Sequence, residues 1–247
     1  MSKNIVTGRR AVYELLCAGS VPIEEIYLYR GAGGGIIDSI KQKARENNIP
    51  VRPAGKTDLQ KLTPKLNHQG VIAVFGEFPY CAVEDIIRVS QSKKTAAFIL
   101  VLDRIEDAGN FGAIIRSACC ASVDGIIIPA AGSACISEGS IKSSSGSFAF
   151  MKIARVNNLA NIMRVLKKKG ICIIGSDSAE GKPHYSADFK VPAAIVVGNE
   201  HDGISQEVKQ ECDLLVRIPI TGVASLNASS SSAVLLFEAG RQRALRV

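Results

Sequence analysis

The sequence predicts an α/β protein with a mostly parallel sheet in its C-terminal two-thirds and a smaller α/β unit ahead of it. Three observations predict this. Short apolar runs, FILVL at 98–102, GIIIP at 125–129, ICIIG at 171–175, AAIVV at 193–197 and LLVRIP at 214–219, alternate with stretches of helical periodicity. Strands without polar alternation are buried on both faces, as parallel sheets require. The conspicuous polar residues follow directly after three of these runs, at the edge where parallel sheets bind ligands. The charge is also uneven: residues 1–75 carry 11 Lys and Arg against 6 Asp and Glu, and residues 76–247 carry 19 against 17.

In the first part, Arg9 to Cys17 reads as a short helix, with Val12, Leu15 and Leu16 at helical spacing behind Thr7-Gly8. A strand follows at Glu25 to Tyr29, then the loop GAGGG at 31–35 and a helix from Ile36 to Asn47. The loop lacks G-x-G-x-x-G spacing and has no acid about 20 residues on, so it reads as a flexible loop rather than a dinucleotide turn. Val51-Arg52, a helix near Asp58 to Leu62 and the strand Val71 to Phe75 complete this unit. Asn67-His68-Gln69-Gly70, just before that strand, reads as a turn that could also touch RNA. The expected division is 1–76, a connector at 77–95 with an amphipathic helix at Val83 to Val89, and 96–247. Beyond the connector, helices are expected at Phe111 to Ala121, Leu159 to Lys169 and Ser205 to Glu211, with a serine-rich helix or loop around Ser137 to Ser147. A last helix, opened by Ser225 to Asn227, begins with two turns of small residues.

Composition narrows the class. A hydrophobic fraction of 47% can fill a sizeable core, and no run of about 18 apolar residues invites a membrane span. The N-terminal residues lack the apolar segment of a signal peptide. Seven cysteines, an odd number without C-x-x-C spacing, argue for a reducing cytoplasm and against a bound metal. The net charge of +7 favours a polyanionic partner, with phosphate contacts expected in the basic first part.

Three loops carry the chemistry. Asp103 to Asn110 follows the first apolar run, with Arg116 further along the next helix; Gly198, Asn199 and Glu200 follow AAIVV; Thr221 to Asn227 follows LLVRIP. In a parallel sheet these loops emerge on one edge and can converge, and Gly198 and Gly222 would let backbone approach a ligand closely. Taken singly, each residue has a plain alternative as a cap or a surface charge.

The stretches DRIEDAGNFGAIIRSA (103–118), IVVGNEHDGIS (195–205) and RIPITGVASLNASSSSAVLLFE (217–238) resemble, in order and separation, the three motifs of the SpoU family of RNA ribose 2′-O-methyltransferases. The first unit, with Gly8 and His68-Gln69-Gly70, resembles an L30e-like substrate-binding domain of the branch that methylates a guanosine of large-subunit ribosomal RNA. The resemblance implies a trefoil-knotted SPOUT domain, S-adenosylmethionine as cofactor, no metal, and a homodimer in which Arg116 of one subunit reaches the other's cofactor pocket. It assigns catalysis to Asn110, Arg116, Glu200, Ser225 and Asn227, and cofactor binding to Ser176, Gly198, Ile218, Leu226 and Asn227. Ala108 replaces a usual proline, which would loosen that loop, and Ser230 to Ser232 replace other small residues. The family account gives Arg116 a part in proton removal, yet a guanidinium is a poor base, so orienting phosphate and stabilising a developing alkoxide fit it better. His201 is a rival base by its intrinsic pKa. The alternatives are a transfer-RNA ribose methyltransferase, a non-catalytic RNA-binding protein of the same fold, and, disfavoured by the missing phosphate loop, a dehydrogenase.

Overall fold

The computed structural model describes residues 3–64, 67–222 and 225–244. It divides into two compact units, residues 1–79 with 136–150, and residues 80–135 with 151–247.

The first unit holds β1 (Asn4–Thr7), α1 (Arg9–Ala18), β2 (Ile23–Tyr29), α2 (Gly35–Glu46), β3 (Val51–Ala54), α3 (Lys56–Leu62) and β4 (Val71–Phe75). Its four strands run in the order β1-β4-β2-β3, with β4 antiparallel to both neighbours and β2 parallel to β3. Every residue of β4 is buried, as expected of a central strand, and Leu59 of α3 packs with Ala54, Ile72 and Val74. Sequence placed 136–150 in the larger domain, whereas here the segment belongs to the first unit. The reason is aromatic: Phe148 is fully buried, its ring stacked 5.9 Å from Phe75 and tilted against Phe78 at 6.1 Å. Gly146 makes the approach possible, since a Cβ there would lie 3.3 Å from the Ala11 Cα and its φ is +90°. The serine-rich stretch is thus helical at Glu138–Ser144, here α6.

The second unit holds α4 (Val83–Lys93), β5 (Phe98–Asp103), α5 (Ala108–Cys120), β6 (Gly125–Pro129), β7 (Ile153–Val156), α7 (Leu159–Lys168), β8 (Cys172–Ser176), β9 (Lys182–Pro183), β10 (Ala193–Gly198), α8 (Gln206–Gln210), β11 (Leu214–Arg217) and α9 (Ala228–Ala244). Its seven strands, in the order β7-β6-β5-β10-β8-β11-β9, pair in parallel throughout. β5 and β10 are buried along their whole length at its centre, which is why they read as unbroken apolar runs. One core layer joins Ile99, Val101, Ala194 and Val196 to Met163 and Leu166 of α7. The two-residue β9 escaped sequence analysis; it is an edge strand, where a proline such as Pro183 costs no ladder hydrogen bond.

On the other side α9 packs along α5. In its small first turns Ala228 and Ser232 are buried, and the Ser232 hydroxyl donates to the Ala228 carbonyl at 2.8 Å. Val234 and Phe237 of α9 remain exposed, Phe237 by 53%. Among the described residues no helix is long and apolar enough to cross a membrane.

Candidate active site

The parallel register puts the ends of β5 and β10 side by side, Asp103 opposite Gly198. The loops that leave them, and the loop after β11, meet there. Asp103 is buried, and its carboxylate accepts the Ser205 amide at 2.6 Å, pinning the loop after β10 to the end of β5. That loop is folded back tightly: Gly203 donates its amide to the Asn199 carbonyl at 3.1 Å, and a Cβ on Gly198 would lie 2.0 Å from the Gly203 carbonyl carbon. Only glycine fits at 198. The Asn199 side chain organises the tip, accepting the amides of His201 at 3.0 Å and Asp202 at 2.7 Å. Arg104 adds ion pairs to Asp103 at 3.4 Å and Asp202 at 3.7 Å.

Asp107 caps α5 by accepting the Asn110 amide at 2.6 Å, which fixes where the Asn110 side chain starts. Asn227 caps α9 in the same way, its Oδ1 accepting the Ser229 amide at 2.8 Å. The cap leaves the Asn227 Nδ2 as a donor, and it gives one hydrogen bond to Asn110 Oδ1 at 3.0 Å and one to Glu200 Oε2 at 3.1 Å. Asn110 Nδ2 closes the ring by donating to Glu200 Oε2 at 3.2 Å. Three side chains from three distant loops therefore hold one another, and two of them are anchored by helix caps.

Beside this ring lies a cleft of about 360 Å³. Ser176, Gly198, Ile218 and Leu226, four of the five residues expected to bind the cofactor, line it together with Ser225, Glu200 and His201. Asn227 bonds to its wall residue Glu200 rather than lining it. Asp177, on the polar side, is pushed up by burial, but Lys209 at 2.8 Å and the Ala179 and Glu180 amides together bring its carboxyl below the ordinary value. It stays an acceptor-rich anion near neutral pH. A second pocket of about 340 Å³ lies across the Glu200 wall and is lined by Arg104, Glu106, Asp107, Asn110, Glu200 and Asp202, among others. Among the described residues no group of three or more His, Cys, Asp or Glu is arranged to hold a metal ion.

Arg116 is not brought to this cleft. It is exposed on α5 and lines neither pocket. Six residues of helix separate it from Asn110, roughly 9 Å along the axis and about 120° around it, so both cannot face one site on the same chain. Sequence reasoning missed Asp103, Asn199 and Asp107 as organisers. Their signal was present, an acid or amide at the end of an apolar strand or before a helix, but such residues are common as plain caps.

The SpoU rRNA Methylase family model matches residues 97–237, and a model for RNA 2′-O ribose methyltransferase substrate binding matches residues 5–81. A TrmH family tRNA/rRNA methyltransferase of Staphylococcus haemolyticus is 32% identical over 244 residues, covering 98% of this chain and 97% of that protein. Among solved structures, the SpoU methyltransferase AviRb from Streptomyces viridochromogenes, in complex with AdoMet, is 25% identical with a TM-score of 0.82, covering 98% of this chain and 91% of that one. An AdoMet-bound rRNA methyltransferase from Sinorhizobium meliloti is 27% identical with a TM-score of 0.82, covering 97% and 87%. With both motif-bearing regions matched and the three motif loops converging on one cleft, this chain belongs to the SpoU family of TrmH-type RNA 2′-O-ribose methyltransferases.

Proposed function

We propose that the chain methylates the 2′-hydroxyl of a guanosine ribose in large-subunit ribosomal RNA, acting in the cytoplasm as a homodimer, with S-adenosylmethionine as donor. The observation that carries the site assignment is the closed Asn110, Glu200 and Asn227 ring against the cleft. The cleft suits the donor: Ile218, Ile220 and Leu226 offer apolar sides for a flat base, Gly198 lets main chain come close, and Ser176 and Ser178 supply polar edges. When bound, S-adenosylmethionine supplies an electrophilic methyl group on a sulfonium sulfur.

The protein's part is positioning and electrostatics. Asn110 and Asn227 hold the Glu200 carboxylate in place, so the wall between the two pockets is fixed before either fills. Ser225 orients the nucleotide from the cleft rim. Arg116, supplied by the partner subunit, orients the RNA phosphate and stabilises charge growing on the ribose oxygen, which lowers that hydroxyl's affinity for its proton. Arg116 does this as a charge and a hydrogen-bond donor, not as the base, and the hydroxyl proton passes to solvent water as the oxygen–methyl bond forms and the methyl–sulfur bond breaks. The dimer is supported by the helical offset of Arg116 from Asn110 and by the exposed Val234 and Phe237 on α9, beside α5.

Guanosine is supported by Glu106, which lines the second pocket and has no hydrogen-bond or ion-pair partner among the described residues. A carboxylate there can accept from both N1–H and N2–H of guanine, a pair no other standard base offers. Ribosomal RNA is supported by the presence of the substrate-binding unit and by the rRNA methyltransferase from Sinorhizobium meliloti, whose match spans nearly the whole chain. A transfer-RNA substrate is the second reading, favoured by the tRNA/rRNA name of the staphylococcal relative. Incubating the protein with methyl-labelled S-adenosylmethionine and either RNA, then mapping the label, decides between them. Label on transfer RNA alone, or on a nucleotide other than guanosine, overturns the corresponding part of this reading.

A further inference from the structure

A further concave site lies within the first unit, on residues that belong to none of the three motifs. It is an open cavity of about 720 Å³ lined by Arg9, Tyr29, Gly31, Lys56, His68 and Gly70, among others. Its charged lining groups are all basic or neutral, with no carboxylate among them. Asp58, nearby on α3, is turned back to accept the Gly55 amide at 3.0 Å. Lys56 has no hydrogen-bond or ion-pair partner among the described residues. Tyr29, at the end of β2, is 42% exposed. A Cβ at Gly31 would lie 2.8 Å from its Cε1, so glycine there leaves room beside the ring.

Two polar groups are fixed in orientation. His68 Nδ1 accepts the Gly70 amide at 3.0 Å, so in the neutral ring the proton sits on Nε2, which remains a donor. Arg9 is tied by Nε to the Gln69 carbonyl at 3.1 Å and by Nη1 to the Gly33 carbonyl at 3.3 Å, which holds the GAGGG loop beside the turn at 67–70. An exposed aromatic residue, a lysine ammonium, a guanidinium held in place and an imidazole N–H form a stacking platform with phosphate-binding edges.

We propose that this cavity binds one unstacked nucleotide of single-stranded RNA, its base on the Tyr29 ring and its phosphate between Lys56 and Arg9, with His68 Nε2 donating to the base or sugar. The proposal rests on an RNA substrate, as argued above, but not on methyl transfer.

The test uses the full chain without S-adenosylmethionine and a fluorescent single-stranded RNA, with binding read by anisotropy. Tyr29→Ala weakens binding by roughly 5- to 150-fold, and Tyr29→Phe retains most of it. Lys56→Ala, a surface change that leaves the fold intact, lowers the salt dependence by about 0.7 in log–log slope. A duplex of the same sequence is insensitive to Tyr29→Ala, because its bases stay stacked. Binding of S-adenosylmethionine by Tyr29→Ala, measured separately, matches the parent and checks the fold. Uridine monophosphate competes only weakly. Unchanged single-strand affinity in Tyr29→Ala and Lys56→Ala overturns the proposal, as does competition by inorganic phosphate as effective as by the RNA, which would make this a free-anion site. If the Tyr29 effect is seen while no RNA accepts a methyl group, the cavity stands and the catalytic reading falls.

Discussion

The cleft at the motif loops and the cavity of the first unit are built on opposite plans. At the carboxyl edge of the seven-stranded sheet, the side chains bond to one another: Asn110, Glu200 and Asn227 form a closed ring, and Asp103, Asp107 and Asn199 spend their oxygens on backbone amides. In the four-stranded unit, Lys56 has no hydrogen-bond or ion-pair partner among the described residues, and Tyr29 is 42% exposed. A site that must fix two reactants to within fractions of an ångström satisfies its polar groups internally and is rigid before binding. A site that grips a chain of phosphates and bases leaves its groups open for the ligand.

The comparison can be broken by substitution. The largest effect is expected at Gly198, where alanine would place a Cβ 2.0 Å from the Gly203 carbonyl carbon. Gly198→Ala should abolish S-adenosylmethionine binding in calorimetry, and binding within a few-fold of the parent would show that the cleft is not the rigid site described. Arg116→Ala should lower methyl transfer by about 10²–10³-fold with cofactor affinity retained, as expected of a group that acts on developing charge. If Arg116 works across a dimer, mixing the inactive Arg116→Ala and Asn110→Ala chains should restore about a quarter of the activity, because only mixed dimers carry one intact site. No recovery on mixing, with mixed dimers demonstrated, places Arg116 elsewhere in the mechanism.

Asn227→Ala removes a helix cap and a link in the ring together. Thermal unfolding should report a loss of about 1 kcal/mol for the cap, and transfer should fall more steeply than stability. A loss confined to stability would reduce Asn227 to a cap. The smallest effect concerns pH. The Arg241 hydrogen bond, with help from Gln242, holds the Glu238 carboxyl at about 2. A carboxyl depressed on folding contributes its stability above its unfolded value and loses it as pH falls through the folded one. The melting temperature should therefore drop between about pH 4.5 and 2, and Glu238→Gln should flatten that drop while changing little at neutral pH.

Much of this was legible in the chain. The five apolar runs named five of the seven strands of the parallel sheet, because burial on both faces leaves no polar alternation to confuse the pattern. Ser176, Gly198, Ile218 and Leu226 were placed by motif resemblance and do line one cleft. The segment 136–150 was read with the larger domain because the Phe148 partners, Phe75 and Phe78, lie some 70 residues upstream, where no local pattern points to them. Residues 223 and 224, in the last motif loop, lie outside the described residues.

The sequence by itself determined which residues stand at strand ends, since hydrophobic periodicity is written locally and strand length follows from it. Only the tertiary structure decided that Asn110, Glu200 and Asn227 share one hydrogen-bonded ring, and that Arg116 does not line the cleft its own chain forms. Strand order in a parallel sheet brings loops 90 and more residues apart into contact, and hydrogen bonds reach only about 3 Å, so proximity along the chain carries no information about which polar groups will meet.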